Sequence, residues 1–468
     1  MKQFLSFFVI LAICCTFLSP AAFAEEEPKT TLEPIFEDLT ENQFQVLTDE
    51  DYLTTFKADS LKITAKEKFK ALYIVWNVIP EAYTVTANGK SEKYQGDFLH
   101  KLIKLDDYTN SIEISCGREE EICDIYLFRD YNFPDFVQQW ESPCKQADIM
   151  VLSAHADDEY LMFGGTVPYY AKERGLQVQV VYLTAHPNEQ PRPHELLDGL
   201  WTAGVKNYPV IGIIDDIPST PIWSISEAAS LYNLEAVKEW FTEQLRRFKP
   251  SVLITHDIKG EYGHGAHKLA AKTATEAIEL AGSSENYPDS AQKYGVWEVP
   301  KTYLHFWQEN AIEMDWEIPL ESFGGITARE AAELCYGCHK SQHKYNYTVG
   351  YKEKWDCRQF GLYRSLVGND AKADFMDNIE PLPKPEKTET EVLEITEVSE
   401  TVSLTAAADT NTQAADKEKT DTALTEIESF EEEKSGGVIK KNLVWIIAIG
   451  AALAVTVIAG VYIKNGRK

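Results

Sequence analysis

Positive charge is scarce in this chain of 468 residues. Against 74 Asp and Glu there are only 45 Lys and Arg, for a formal net charge of −29. A surface of that sign repels a phosphate backbone, which argues against nucleic acid as a partner. Long apolar runs are scarce too, and both lie at the ends of the chain. Lys2 precedes the first, Phe4 to about Leu18, and Ala22-Phe23-Ala24 fits a small-x-small cleavage site, so residues 1–24 read as a signal peptide. Pro20 and Glu25-Glu26-Glu27 close behind disfavour a buried helix there, and bulky Ile13 disfavours lipidation at Cys14. The second run, Leu443 to Ile463, carries no charge. As a helix it rises about 30 Å, enough to span a bilayer. Lys464, Arg467 and Lys468 follow it, and residues 464–468 read as a cytoplasmic tail.

Aromatic residues are nearly missing from 378 to 436, a stretch rich in Thr, Glu, Ala and Lys. Such a composition cannot bury enough surface to fold alone, so residues 378–440 read as an acidic disordered stalk. Cysteine is sparing, with six residues after the leader: Cys116, Cys123, Cys144, Cys335, Cys338 and Cys357. Export makes disulfides the expectation, with Cys116 and Cys123 bracketing a hairpin loop and Cys335-Tyr-Gly-Cys338 forming a cystine rather than a redox or zinc motif. No repeat is strict enough for a solenoid.

What remains is a chain with 44% hydrophobic and 12% aromatic residues, longer than one typical domain. Residues 25–144 look all-β. Ala71 to Trp76 and Tyr83 to Ala87 are strand-like, Asn88-Gly89 signals a hairpin turn, and Ser111 to Ser115 alternates with period two. The expected architecture is a small β-sandwich, either a carbohydrate-binding module or a spacer. From residue 145 to 377 strands and helices alternate. Strands are expected at Asp148–Ser153, Val178–Leu183, Pro209–Ile214 and Val252–Thr255. Helices are expected at Leu161–Arg174, Glu195–Ala203, Leu234–Phe248 and His267–Ala281. That order predicts an α/β fold, a Rossmann-like parallel sheet covered on both faces, with the site beyond the carboxyl ends of the strands.

Two clusters of metal-ligating residues fall at such strand ends. Ala154-His155-Ala156-Asp157-Asp158-Glu159 follows the first strand of this part. His256-Asp257, Tyr262, His264 and His267 follow the fourth. Either alone is weak, since Asp-Asp often caps a helix and His-x-x-His often lies on a solvated face. Together at one sheet edge, they point to a divalent metal held by histidine and carboxylate, with water in the open position. His186, His194, His305 and His343 have no partner assignable from sequence. Trp201, Trp223, Trp307 and Tyr262 are candidates for a sugar-binding cleft, though aromatic residues more often fill core.

These motifs resemble those of the N-acetylglucosaminyl-phosphatidylinositol de-N-acetylases (PIG-L) and LmbE-like deacetylases. The family's Ala-His-Pro-Asp-Asp-Glu is matched by Ala154 to Glu159, followed by Gly164-Gly165. Its Arg-x-x-Glu is matched by Arg192 to Glu195, its Tyr-Gly-His-Pro-Asp-His by Tyr262 to His267, and its His-x-Ser-Gln by His339 to Gln342. The resemblance spans about residues 147 to 345. It implies Zn²⁺, or a substituting divalent metal, on His155, Asp158 and His267, with Asp157 as general base. His264 would serve the oxyanion or the leaving amine, Tyr262 would polarise the amide carbonyl, and Arg192 would contact the sugar. Ala156 stands where the family has proline, and Gly265-Ala266 stand where it has Pro-Asp. The missing Asp is expected to cost a ligand histidine its carboxylate partner.

The expectation is therefore a zinc-dependent N-deacetylase of an extracellular glycan or glycolipid containing N-acetylglucosamine. It would be anchored to the cell membrane by one C-terminal helix at 443–463, with its catalytic domain outside. The rival is a non-catalytic carbohydrate-binding surface protein with a degenerate deacetylase domain. An esterase-like metal hydrolase is a further alternative. No oligomeric state follows from the residues.

Overall fold

The computed structural model describes residues 31–37, 39–216 and 222–383. The signal peptide at 1–24, nearly all of the stalk at 378–440 and the span at 443–463 with its tail lie outside those residues. Among the described residues no helix is long and apolar enough to cross a membrane.

Alternating β-branched and polar residues make the N-terminal part extended. Its strands are β1 (Thr31–Leu32), β2 (Ile35–Phe36), β3 (Phe56–Trp76), β4 (Tyr83–Ala87), β5 (Lys90–Tyr94) and β6 (His100–Phe128). They form one sheet in the order β2-β3-β6-β4-β5, with β1 also on β6. The β4–β5 hairpin turns on Asn88 and Gly89, both at positive φ as a two-residue turn of this type needs. Residues 71–75 of β3 pair with both 100–104 and 124–128 of β6, while 60–64 pair with 111–115, so β6 doubles back and flanks β3 on two sides. Leu61, Ile63, Leu72, Ile74, Ile112, Ile114 and Ile125 from these ladders share one core. Leu72, Ile74 and Trp76 fill a core on one face, while Ala71, Tyr73 and Val75 fill another on the opposite face.

That two-sidedness also corrects the disulfide expectation. Cys116 packs toward the first core, whereas Cys123 belongs to the second. All six cysteines among the described residues are free. Cys335 is sunk in the core, whereas Cys338 turns aside with its sulfur 3.7 Å from Thr202 Oγ1.

The second sheet contains β7 (Ile149–Ser153), β8 (Val178–Tyr182), β11 (Val252–Thr255), β12 (Lys301–His305), β13 (Ala311–Glu313) and β14 (Gln359–Ser365). Two-residue strands β9 (Thr184–Ala185) and β10 (Ile214–Asp215) pair separately. The order is β13-β14-β12-β11-β7-β8. The four strands β12, β11, β7 and β8 are parallel, but β14 runs antiparallel between β12 and β13, so the sheet is mixed. Its faces sort residue by residue. Ile149, Val151, Val252 and Ile254 join one core, while Met150, Leu152 and Leu253 join the other beneath helices Leu234–Phe248 and Gly265–Ala281.

Two expected elements differ. The helix over Leu161–Arg174 is broken into Asp158–Leu161, Thr166–Pro168 and a wider turn at Tyr169–Glu173. Gly164 is the cause: its φ is +54°, and a Cβ there would come within 2.6 Å of Cys357 Sγ. The strand over Pro209–Ile214 shrinks to β10 and a bridge between Val210 and Val181. Pro209 has no amide to donate, and Gly212 lies against the Leu183 carbonyl.

The two sheets meet across buried polar contacts. His100 at the start of β6 lies 2.8 Å from His194 of helix Arg192–Thr202, ring nitrogen to ring nitrogen, and Tyr52 stacks on His194 at 4.3 Å.

Candidate active site

Each residue of the site follows a strand end, where backbone leaves the sheet and side chains converge. After β7 the chain turns sharply. Asp157 caps helix Asp158–Leu161 at φ 113°, a strained conformation for a residue with a Cβ, and its amide donates to Glu159 Oε2 at 2.9 Å. The turn aims Asp158 back at His155: Asp158 Oδ2 accepts from the His155 amide at 2.9 Å and lies 2.9 Å from His155 Nδ1. The same oxygen lies 3.1 Å from His267 Nε2, on the first turn of helix Gly265–Ala281. The His155 and His267 rings are 5.3 Å apart.

Donor atoms of His155, His264 and His267 lie within 4.8 Å of one another, as do those of Asp158, His256 and His267. Two imidazoles and a carboxylate fit the donor chemistry of zinc. His256 is the poorer candidate, because its Nε2 already accepts from the Ala154 amide at 2.9 Å and its Nδ1 faces Glu261.

Charge in the cluster is set by burial and by pairing. Burial works to raise Asp158, but His267 and His155 hold it well below the usual carboxylate range. Burial works to lower His267, and Asp158 with Glu261 raise it to about 10. Burial pushes Asp157 up to about 7, with Arg192 opposing. Burial pushes His264 down to about 2, and its Nδ1 is buried without a hydrogen-bond partner. Tyr262 sits at φ 47° in the short turn Glu261–Gly263, with its hydroxyl 3.4 Å from His267 Nε2.

His155, Asp157, Asp158, Arg192, Tyr262 and His264 all line one cleft of about 260 Å³, and His267 lies fully buried beneath it. Arg192 reaches it from helix Arg192–Thr202: its guanidinium donates to the Ala156 carbonyl and lies 3.7 Å from Asp157 Oδ2. Glu195, the other end of that motif, accepts from the Ser341 amide at 2.7 Å and hydroxyl at 2.6 Å. The Arg-x-x-Glu and His-x-Ser-Gln motifs therefore clasp each other and bring Gln342 to the cleft wall.

Sequence reading missed Glu261, which is fully buried among His256, His267 and His305. His305, left unpartnered by sequence, lies with Nδ1 2.6 Å from Glu261 Oε1. His186 likewise faces Glu189 and Asp216 at 3.6 and 3.5 Å, while His343 reaches only the Tyr336 carbonyl. Of the four proposed cleft aromatics, Trp223 and Tyr262 line the cleft and Tyr345 and Tyr347 join them. Trp201 instead packs on Trp140, and Trp307 on Tyr363. A run of Tyr345-Asn-Tyr347 just after the His-x-Ser-Gln motif was the available signal.

A family model described as PIG-L, GlcNAc-PI de-N-acetylase, matches residues 150–278. The chain carries a domain of that family. The chain is 28% identical over 187 residues to a 1D-myo-inositol 2-acetamido-2-deoxy-alpha-D-glucopyranoside deacetylase 1 of Catenulispora acidiphila. That match covers 35% of this chain and 56% of the relative. A deacetylase of the same description from Rhodococcus opacus is 29% identical over 190 residues, covering 35% and 63%. The chain thus spans less than two thirds of the length of these curated relatives. Among solved structures, an N,N'-diacetylchitobiose deacetylase from Pyrococcus horikoshii is 18% identical and covers 43% of this chain and 72% of its own. Its TM-score of 0.32 is too low to carry a functional argument.

Proposed function

We propose that the PIG-L domain is a metal-dependent N-deacetylase acting on an N-acetylglucosamine-type group. The observation that carries this reading is the joining of His155, Asp158 and His267 around Asp158 Oδ2, with Asp157 lining the same cleft. His155, Asp158 and His267 would hold the metal, zinc or a substitute, which when bound lowers the pKa of water and polarises an amide carbonyl. Asp157 is oriented by its own strained turn and by Arg192, and takes the proton from the attacking water. Tyr262 offers a phenol to the carbonyl oxygen, and burial above its ordinary range keeps that proton in place. His264 stands 4.8 Å from His155, ring to ring, where a leaving amine can be met. Trp223, Tyr345 and Tyr347 provide flat apolar surface for a sugar ring.

The relatives named above deacetylate an inositol-linked N-acetylated sugar, which supports the N-acetylglucosamine class for this chain. Export, anchoring through residues 443–463 and an extracellular glycan or glycolipid rest on the sequence alone. The experiment is acetate release from a panel of N-acetylated glycans and glycolipids, with metal content measured on the same preparation. Metal-replete protein inactive on every N-acetylated substrate would favour the binding-protein reading.

A further inference from the structure

We infer that Glu261 is a positioning residue for the metal ligand His267, replacing the carboxylate that the motif lacks at Ala266. This rests on the reading of His267 as a ligand. Glu261 has no exposed surface, and every acceptor position of its carboxylate is spoken for. Oε2 lies 2.6 Å from His267 Nδ1 and 2.9 Å from His256 Nδ1. Oε1 lies 2.6 Å from His305 Nδ1 and accepts from the Asp257 amide at 3.1 Å. A carboxylate offers about four lone-pair sites, so four donors saturate it.

Three elements converge on this one side chain: the end of β11 through His256, the end of β12 through His305, and helix Gly265–Ala281 through His267. The bond to His267 Nδ1 has a direct consequence. With Nδ1 kept protonated by Glu261, Nε2, which faces Asp158 Oδ2, is the nitrogen left to give up its proton to a metal. Glu261 thereby selects the nitrogen that can bind a metal and fixes the ring plane, as carboxylate partners of ligand histidines do. Ala266 lies on the same turn but has no polar side chain, and His264 Nδ1 remains without a partner. The missing carboxylate is therefore restored for His267 and for no other residue of the motif.

Glutamine is an informative replacement because either orientation of its amide puts an NH₂ against donors. One choice opposes His256 and His267, the other His305 and the Asp257 amide. The full chain, its Glu261→Gln and its Glu261→Asp variants are loaded with Zn²⁺ and titrated with a chelator of known affinity. In parallel, Co²⁺-substituted protein gives the visible absorption of the site. Glu261→Gln is expected to weaken metal affinity roughly 10- to 100-fold and to change the Co²⁺ band, with Glu261→Asp intermediate. A folded Glu261→Gln protein with unchanged affinity and spectrum overturns the inference. If that variant does not fold, ¹⁵N-histidine NMR of the Zn²⁺-loaded unmutated chain, in which only one His267 nitrogen can carry a proton, decides. A proton on His267 Nδ1 supports the inference, and a proton on Nε2 overturns it. A wild-type chain that binds no metal would sink the metal reading instead; a slowly exchanging His267 Nδ1 proton in that chain would still support the Glu261–His267 bond, and its absence would overturn it.

Discussion

Two fully buried histidines in this protein, His267 and His194, are shifted in opposite directions. At the site, His267 is fully buried yet raised to about 10, because Asp158 and Glu261 are both within 3.1 Å of its ring nitrogens. At the contact between the sheets, His194 is equally buried but lowered to about 3 by that burial. Its ring neighbours are His100 at 2.8 Å and the stacked Tyr52, with no carboxylate on either nitrogen. Burial is common to both, and carboxylates on both ring nitrogens of His267 outweigh it, whereas one carboxylate, Glu261 on His256, does not: His256 is lowered. His267 is held charged in the cleft, while His194 stays neutral where the two sheets join.

The contrast is broken most severely at the site. His267→Ala should leave the purified protein with almost no metal, measured by elemental analysis, and without deacetylase activity. His194→Ala, equally buried, should keep its metal. Full metal content in the first variant would remove His267 from the ligand set.

Asp157→Asn should keep metal and lose roughly 10²- to 10⁴-fold in kcat, because an amide cannot accept the water's proton. Turnover near wild type in the metal-loaded variant would place the base elsewhere.

Acid sharpens the comparison from the other side. His194 takes a proton near 6.5 when unfolded but only near 3 when folded. Below 6.5 the unfolded state therefore binds more protons, and stability falls as pH drops toward 3. The slope is about 1.4 kcal/mol per pH unit per proton. Asp198 opposes this. Burial raises it to about 6, so it adds stability as pH falls from 6 toward 3.8. Urea unfolding between pH 7 and 4 should show a shallower acid loss in His194→Gln than in wild type. Equal slopes would mean that His194 is not held neutral.

The smallest effect is expected at Tyr52, whose hydroxyl donates to Asp198 at 3.0 Å. Tyr52→Phe keeps the stack on His194 and removes one hydrogen bond, costing about 1 kcal/mol of stability with acetate release unchanged. A loss of activity would tie this contact to the site.

The residues that line the cleft were legible in the chain because short motifs follow strand ends and local turns aim them. Asp158 meets His155 across three residues, within one turn of backbone. Face alternation in β7 and β11 was equally legible, since Ile149, Met150, Val151 and Leu152 need only the period of a strand. Glu261 was not legible, because its worth lies in His256, His267 and His305 arriving from three elements. The antiparallel β14 was not legible either, as an apolar run reads the same in both directions. Cysteine pairing misled for a related reason: only six residues separate Cys116 from Cys123, but they pack into different cores. Local sequence determined which side chains can ligate, cap or turn, because those depend on neighbours a few residues away. Tertiary structure alone decided which histidine is charged and which is neutral, because distant carboxylates and burial set that balance.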